Sequence, residues 1–232
     1  MWAWALLPVS LAAGGFVGTW IVYAISVSNN SVNVTAKVPF ISECATDQPQ
    51  SSLFCLICNV WTFLIIWVVV IRYQQVRELG DKSRRANLAG LVLGFITAAG
   101  VTLLGSFPLK ASLVVHLLGA YMAFFVGLAF CWVQLWLTYK AEPSQDRRWT
   151  GPLRATLCSL CTVFLIGMFV LQPAGFRDLA AISEWVMVMV FFLFFGTFAI
   201  EFRHIGHFHV TVMKQHGPVD DRHVAMDRNP ML

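Results

Sequence analysis

Long apolar stretches, separated by short polar segments, recur six times along this chain. A helix needs roughly 20 apolar residues to cross the hydrocarbon core of a bilayer. Because the backbone cannot bond to lipid, such stretches are expected to be helical. The pattern predicts an all-α fold, a six-helix transmembrane bundle, with spans at about residues 2–27, 53–71, 88–107, 111–138, 155–171 and 182–200.

Basic residues divide the segments between these spans into two classes. All but three of the 16 Lys and Arg residues follow spans two, four and six, and the exceptions are Lys37, Lys110 and Arg177. Short loops rich in Lys and Arg stay on the cytosolic side of a membrane. We therefore expect both termini to be cytosolic and loop 28–52 to face the lumen or the cell exterior.

One membrane domain, residues 1–203, is predicted to be followed by a flexible, polar cytosolic tail at residues 204–232. The first span begins at Trp2 with no basic residue before it. It is also longer than the roughly 7–15 apolar residues typical of a signal peptide. We expect an uncleaved first helix, whereas cleavage would leave five spans.

Composition agrees with a membrane protein, because 58% of the residues are hydrophobic and only 12% are charged. Soluble domains carry about 25% charged residues. The formal net charge of +4 lies in the predicted cytosolic segments, so it favours anionic lipid headgroups over nucleic acid. In the first of these segments, we expect Lys82, Arg84 and Arg85 to contact anionic lipid.

The predicted lumenal loop contains two N-glycosylation sequons, which begin at Asn29 and Asn33. Such sequons are modified only on the lumenal side, so their position agrees with the distribution of charge. Asn29 lies close to the bilayer, which makes Asn33 the better candidate. The alternative is that these short motifs arise by chance.

Cysteines are found mostly inside the spans. The CxxC pairs that begin at Cys55 and Cys158 have zinc-binding spacing, but they lie in apolar stretches near opposite membrane faces. There, cysteine commonly behaves as a small hydrophobe. A disulfide between Cys44 and Cys55, both near the oxidising face, is favoured over zinc, and free thiols are the alternative.

Ionisable groups within spans are costly and mark candidate functional sites. His116 and Glu184 both lie near the outer ends of their spans, so a proton-sensing contact between them is one hypothesis. The other is that each side chain reaches the lipid headgroups separately. Glu201 is next to Arg203 at the cytosolic end of span six, and local pairing explains it. Asn59, which is uncharged, is expected to bond across helices.

Motifs for catalysis are missing: the chain has no HExxH, no GxSxG and no phosphate-binding glycine loop. We therefore expect no enzyme activity, no cofactor and no metal site. The histidines of the tail offer a metal hypothesis, but lipid proximity explains them better.

Several segments resemble the DRAM/Sfk family, the damage-regulated autophagy modulators and their transmembrane protein 150 relatives. The first-loop run Pro39-Phe40-Ile41-Ser42-Glu43 carries most of this resemblance. Other matching positions are spread over about residues 1–203 and are Asn59, Arg72, Tyr73, His116, Glu184, Trp185 and Glu201. Members of the transmembrane protein 150 group often have a second loop cysteine where this chain has Ser52, which weakens the expectation of a loop disulfide.

The resemblance implies a non-enzymatic membrane regulator of autophagy and cell survival under nutrient stress. It implies plasma-membrane and endosomal or lysosomal locations, with the autophagosome membrane as a further candidate. Relatives also suggest two alternatives: an adaptor for a phosphatidylinositol 4-kinase complex at the plasma membrane, and a component of a mechanosensitive channel. Membrane lipids are the expected partners, together with an unknown protein.

Overall fold

A computed structural model of the protein describes residues 3–78, 80, 83–140 and 147–205. A short 3-10 helix at Ala3–Ala5 leads into the first long helix. The α-helices of the described residues, in chain order, are α1 (Leu6–Ser28), α2 (Ile41–Cys44), α3 (Gln50–Glu78), α4 (Arg84–Ser106), α5 (Leu113–Tyr121), α6 (Gly127–Lys140), α7 (Arg147–Leu171), α8 (Arg177–Gly196) and α9 (Phe198–Phe202).

Six helical stretches are long and apolar enough to cross a membrane. Large apolar side chains point outward along them, including Val114, which is 78% exposed, and Leu56, which is 62% exposed. Such a surface suits lipid, since the helices satisfy their own backbone hydrogen bonds. The predicted all-helical fold with six candidate spans is confirmed, and the spans are Ala3–Ser28, Gln50–Glu78, Arg84–Ser106, Leu113–Lys140, Arg147–Leu171 and Arg177–Phe202.

Neighbouring spans pack against each other, and the first span lies beside the last. α3 pairs with α4 and α7 with α8, while α6 packs between α4 and α7. α1 contacts both α3 and α8. We call the end of the bundle that carries segment 29–49 the loop end, and the end that carries the connection between α3 and α4 the basic end.

Two spans are interrupted within their length. A π-helical turn at Met122–Val126 separates α5 from α6, and Thr197 separates α8 from α9. The rings of Phe130 and Phe195 stack at 5.7 Å beside this second break. Aromatic packing of this kind holds α6 against the last span.

The predicted tail falls almost entirely outside the described residues, as does Lys82.

Candidate functional site

Side chains of α8 form hydrogen bonds with the backbone of the segment before α2. Arg177 donates to the carbonyl of Val38 at 2.8 Å, and Asp178 accepts from the Val38 amide at 3.1 Å. About two turns further along α8, the indole Nε1 of Trp185 donates to the carbonyl of Pro39 at 2.9 Å. Side chains of a spanning helix therefore satisfy backbone groups that a loop would otherwise leave to water.

Two carboxylates complete this attachment, which we call the loop clamp (residues 38–43 bound to residues 177–185). Glu184 accepts a hydrogen bond of 2.7 Å from the amide of Ile41, where α2 begins. Glu43 accepts from the amide of Phe40 at 3.1 Å and forms an ion pair with Arg177. Glu43 thus caps the N-terminus of α2 and ties it to α8.

The protonation of Glu43 depends on this setting. Burial acts to raise its pKa, but the hydrogen bonds from Arg177 and the Phe40 amide, with the charges of Arg177 and Lys37, outweigh it. The pKa of Glu43 therefore lies below its ordinary value. A charged Glu43 is the form that holds the clamp together.

A cluster of aromatic rings supports the clamp from α1. Trp20 lies 5.0 Å from Trp185, and Tyr23 meets Trp185 edge to face at 5.5 Å. These contacts fix the indole in the position from which it reaches the Pro39 carbonyl. The clamp therefore joins three elements: the first span, the outer segment and the last span.

A cavity of about 110 Å³ lies beneath the clamp. Ile41 and Ser42 line it from the loop side, and the π-helical turn contributes Ala123 and Phe124. Its wall is predominantly apolar, with a few polar groups, which is the usual character of a small-molecule site. Other side chains in its wall are Trp61, His116, Glu184, Phe191, Phe192 and Phe195.

His116 and Glu184 both face this cavity but bind different partners. Nδ1 of His116 lies 2.8 Å from the carbonyl of Phe107, whereas Glu184 binds the Ile41 amide. Among the described residues, no hydrogen bond or ion pair joins the two side chains. The hypothesis of a direct proton-sensing pair therefore has no support in the observed contacts.

A second polar cluster is buried at the basic end. Glu201 forms ion pairs with Arg154 at 2.6 Å and Arg72 at 3.2 Å, and all three side chains are at most 4% exposed. Thr138 and Thr197 accept further hydrogen bonds from Arg154 at 2.6 and 3.0 Å. The cluster links α3, α6, α7 and α9 where their apolar parts end.

Comparison with known families identifies the family of the chain. The model of the Frag1/DRAM/Sfk1/Cwh43P N-terminal domain matches residues 3–205. The chain belongs to this Frag1/DRAM/Sfk1 family. The match covers every described helix, so the family domain and the six-span bundle coincide.

Relatives in the family include proteins named modulator of macroautophagy TMEM150B. The one from Danio rerio is 56% identical over 93% of this chain and 92% of its own length. The one from Homo sapiens is 38% identical over 87% of both chains. Transmembrane protein 150A of Xenopus laevis is 35% identical over 89% of this chain and 86% of its own. The predicted membership of the transmembrane protein 150 group, and of its B-type in particular, is confirmed. No solved structure is significantly similar.

The structure gives roles to most positions that carried the family resemblance. Pro39, Ile41, Glu43, Glu184 and Trp185 all belong to the loop clamp. Ser42 and His116 line the cavity below it, and Glu201 is the centre of the ion cluster. Asn59 donates to the carbonyl of Cys55 in its own helix at 2.8 Å, so a bond across helices stays a prediction.

Other predicted site residues lie apart from the clamp and the ion cluster. Asn33 is exposed, while the amide of Asn29 donates to Gln50 at 2.8 Å. Cys44 and Cys55 are free thiols in the structure, so the disulfide stays a prediction. Burial raises the pKa of the Cys44 thiol to about 11.

Further exposed residues are the predicted lipid contacts Arg84 and Arg85, in the first turn of α4. Across the described ranges, no three His, Cys, Asp or Glu side chains are grouped to hold a metal ion.

Sequence reasoning missed the partners of these carboxylates. The sequence indicates Arg177 only as a loop charge and Arg154 only as a cytosolic charge, and the family resemblance at Arg72 gives it no partner. A usable signal was present, because a carboxylate at a span end requires a counter-charge. However, the sequence does not show which of many arginines supplies it.

Proposed function

We propose that this protein is a multi-pass membrane modulator of macroautophagy that acts by binding rather than by catalysis. The observation that carries the proposal is 56% identity over 93% of the chain with a relative named for that role. Regulation of cell survival under nutrient stress is part of the same proposal.

The loop clamp supports a binding role. Residues of the outer segment hold it against α8 through their own backbone groups, and the partners are side chains of α8. They therefore build a defined surface at the loop end rather than an open catalytic cleft. A partner that recognises this surface would detect whether the clamp is closed.

The proposed orientation has both termini in the cytosol and the clamp on the lumenal or extracellular side. The excess of Lys and Arg at the basic end supports it. We propose plasma membrane together with endosomal and lysosomal membranes as locations. In these membranes, the clamp would face the cell exterior or an acidic lumen.

Autophagic flux in starved and fed cells tests the proposal. Cells lacking the protein are compared with cells re-expressing it, and a lysosomal inhibitor separates autophagosome formation from clearance. We expect flux to change in its absence and to return with the wild-type chain. Unchanged flux would contradict the proposal.

A clamp variant shows whether the signature surface is involved. Trp185→Phe removes the hydrogen bond to Pro39, and Trp149→Phe is a matched control at a side chain that is 76% exposed. At equal protein levels, we expect the control to restore flux and Trp185→Phe to restore it only in part. Full rescue by both variants would show that the function does not need the hydrogen bond between Trp185 and Pro39.

The alternative role as a lipid-kinase adaptor is favoured by the exposed Arg84 and Arg85 beside the bilayer. Replacing Lys82, Arg84 and Arg85 with neutral residues should then change cellular phosphoinositide levels. Unchanged levels would count against the adaptor.

A further inference from the structure

One carboxylate oxygen in the wall of the cavity beneath the clamp has no partner. Glu184 lines this cavity and is only 7% exposed. Its Oε2 accepts the hydrogen bond from the Ile41 amide. Its Oε1 has no hydrogen bond or ion pair among the described residues. This oxygen is not one of the fully enclosed unpaired atoms of the described side chains, so it keeps accessible surface for a group that enters the cavity.

The charge of Glu184 is not balanced by a neighbour in the wall. A carboxylate in apolar surroundings is costly unless a cation or a set of donors satisfies it. In the described part of the chain, no Lys or Arg lines the cavity. His116 does line it, but its Nδ1 lies 2.8 Å from the carbonyl of Phe107. The wall therefore offers an acceptor that suits a positively charged donor.

Aromatic rings form much of the remaining wall. They attract organic cations through their π-electrons, in addition to the apolar surface that they provide. The ring centroids of Trp61 and Phe192 lie 4.9 Å apart in this wall. A carboxylate beside several aromatic rings is a suitable environment for an ammonium group that carries an apolar body. The aromatic residues of the wall are Phe54, Trp61, Phe124, Phe191, Phe192 and Phe195.

The volume of the cavity limits the ligand. A cavity of about 150 Å³ accepts benzene, so one of about 110 Å³ suits an alkyl group of about four carbon atoms. We infer that the cavity binds a protonated primary alkylamine, whose ammonium group donates to Oε1 of Glu184 and whose carbon atoms lie among the aromatic rings. A small free amine and the amino end of a longer membrane amphiphile share this chemistry, and the experiment separates these two sources.

A pair of ligands with the same alkyl chain tests the role of charge. Full-length protein in phosphatidylcholine nanodiscs is titrated with butylamine or with butanol, and the Kd is measured by saturation-transfer NMR after subtraction of empty nanodiscs. The pH is about 8, where an alkylamine still carries its proton. We expect butylamine to bind about tenfold more tightly, because a charge-assisted hydrogen bond is stronger than a neutral one. Equal affinities, or no binding of either ligand, would overturn the proposal.

Glu184→Gln tests the acceptor. The amide oxygen of glutamine can still accept from the Ile41 amide, but the negative charge is lost. We expect butylamine to bind about tenfold more weakly to this variant, with the Kd of butanol unchanged. Unchanged butanol binding would show that the cavity is intact. If the variant bound neither ligand, the preference of the wild type for butylamine, which needs no variant, would still decide.

Asp47→Asn is the matched control, because it removes the same charge at the loop end from a residue that does not line the cavity. It should have little effect on either ligand. Equal losses of butylamine affinity in Asp47→Asn and Glu184→Gln would overturn the proposal in favour of diffuse charge attraction.

Chain length separates the two sources of the amine. Hexylamine is compared with butylamine, and the difference in affinity between wild type and Glu184→Gln removes the contribution of partition into the bilayer. Weaker binding of hexylamine identifies a small free amine that fits within the cavity. Tighter binding identifies the amino end of a longer amphiphile whose chain leaves the cavity. The inference concerns a ligand site, so it stands independently of the result for autophagic flux.

Discussion

Arg154 and Glu201 form a two-point ion pair, in which Nη2 of Arg154 lies 2.6 Å from Oε2 of Glu201 and Nη1 lies 3.0 Å from Oε1. The pair joins α7 to α9, and the guanidinium of Arg154 also lies 4.5 Å from the ring of Phe198. Arg72 contacts the same carboxylate from α3. One carboxylate therefore pairs with two guanidinium groups in a buried place.

Removing this carboxylate should be strongly destabilising. Glu201→Gln leaves two buried arginines without a counter-charge, and breaking a buried pair in this way costs about 3–5 kcal/mol. Arg154→Gln should cost more than Arg72→Gln, because Arg154 binds both carboxylate oxygens. The measurement is the thermal unfolding midpoint of detergent-purified protein, followed by tryptophan fluorescence.

Arg148→Gln is the control for this prediction, since Arg148 is an exposed arginine on the same helix. We expect its midpoint to equal that of the wild type. If Glu201→Gln and Arg148→Gln were equally stable, the ion cluster would not hold the basic end together.

Distance along the chain explains why this cluster could not be predicted. Arg72 and Arg154 lie 82 residues apart, and each follows or precedes an apolar run, as a loop charge would. The sequence showed that Glu201 needed a partner and offered Arg203 next to it. Only packing of three helices shows that α3 and α7 supply arginines to one carboxylate.

The contribution of Glu43 to the loop clamp should be lost only at acidic pH. The folded pKa of Glu43 lies below its ordinary value of 4.5, so the carboxylate stabilises the clamp fully above that value. This stabilisation is lost as the pH falls through the lower folded pKa. Hydrogen exchange of the Phe40 amide, which donates to Glu43, should show constant protection from about pH 7 to 5 and a decrease below 4.5, after correction for the intrinsic rate.

Glu43→Gln should already have reduced protection at neutral pH, because the amide cannot replace the charged partner of Arg177. Asp47→Asn is the control, a carboxylate in the same outer segment that does not belong to the clamp. Protection that falls between pH 7 and 5 in the wild type would mean that another group controls the segment.

Glycosylation should occur at Asn33 and not at Asn29. The amide nitrogen that accepts the sugar is bound to Gln50 in Asn29. In Asn33, Oδ1 accepts from the hydroxyl of Thr35 at 2.7 Å, and the side chain is exposed. On expression in mammalian cells, Asn33→Gln should abolish the glycosidase-sensitive mobility shift on gels.

Asn29→Gln should leave that shift unchanged. Because glycosylation takes place only in the lumen, a shift also supports the proposed orientation. Absence of any shift in wild-type protein would remove this support, and loss of the shift in Asn29→Gln would contradict the assignment to Asn33.

The six spans could be predicted because the bilayer imposes a length and a composition that a single sequence displays. The role of the outer segment could not be predicted from the sequence. Pro39 and Ile41 act through backbone groups that any residue possesses, and their partners Trp185 and Glu184 lie more than a hundred residues away. A resemblance identified these positions, while the reason for them is visible only in the fold.

Gly119 shows where the bundle tolerates no side chain. A Cβ at Gly119 would lie 2.5 Å from the backbone nitrogen of Leu104 and 2.9 Å from the carbonyl oxygen of Gly100. Backbone atoms cannot move away as a flexible side chain can, so Gly119→Ala should separate α4 from α5 and destabilise the protein by about 1–3 kcal/mol.

Gly14→Ala is the matched control, because a Cβ there meets nothing within 4 Å. We expect its unfolding midpoint in detergent to be equal to the wild type or slightly higher, since alanine is the better helix former. Equal midpoints for the two variants would show that α4 and α5 can move apart without cost.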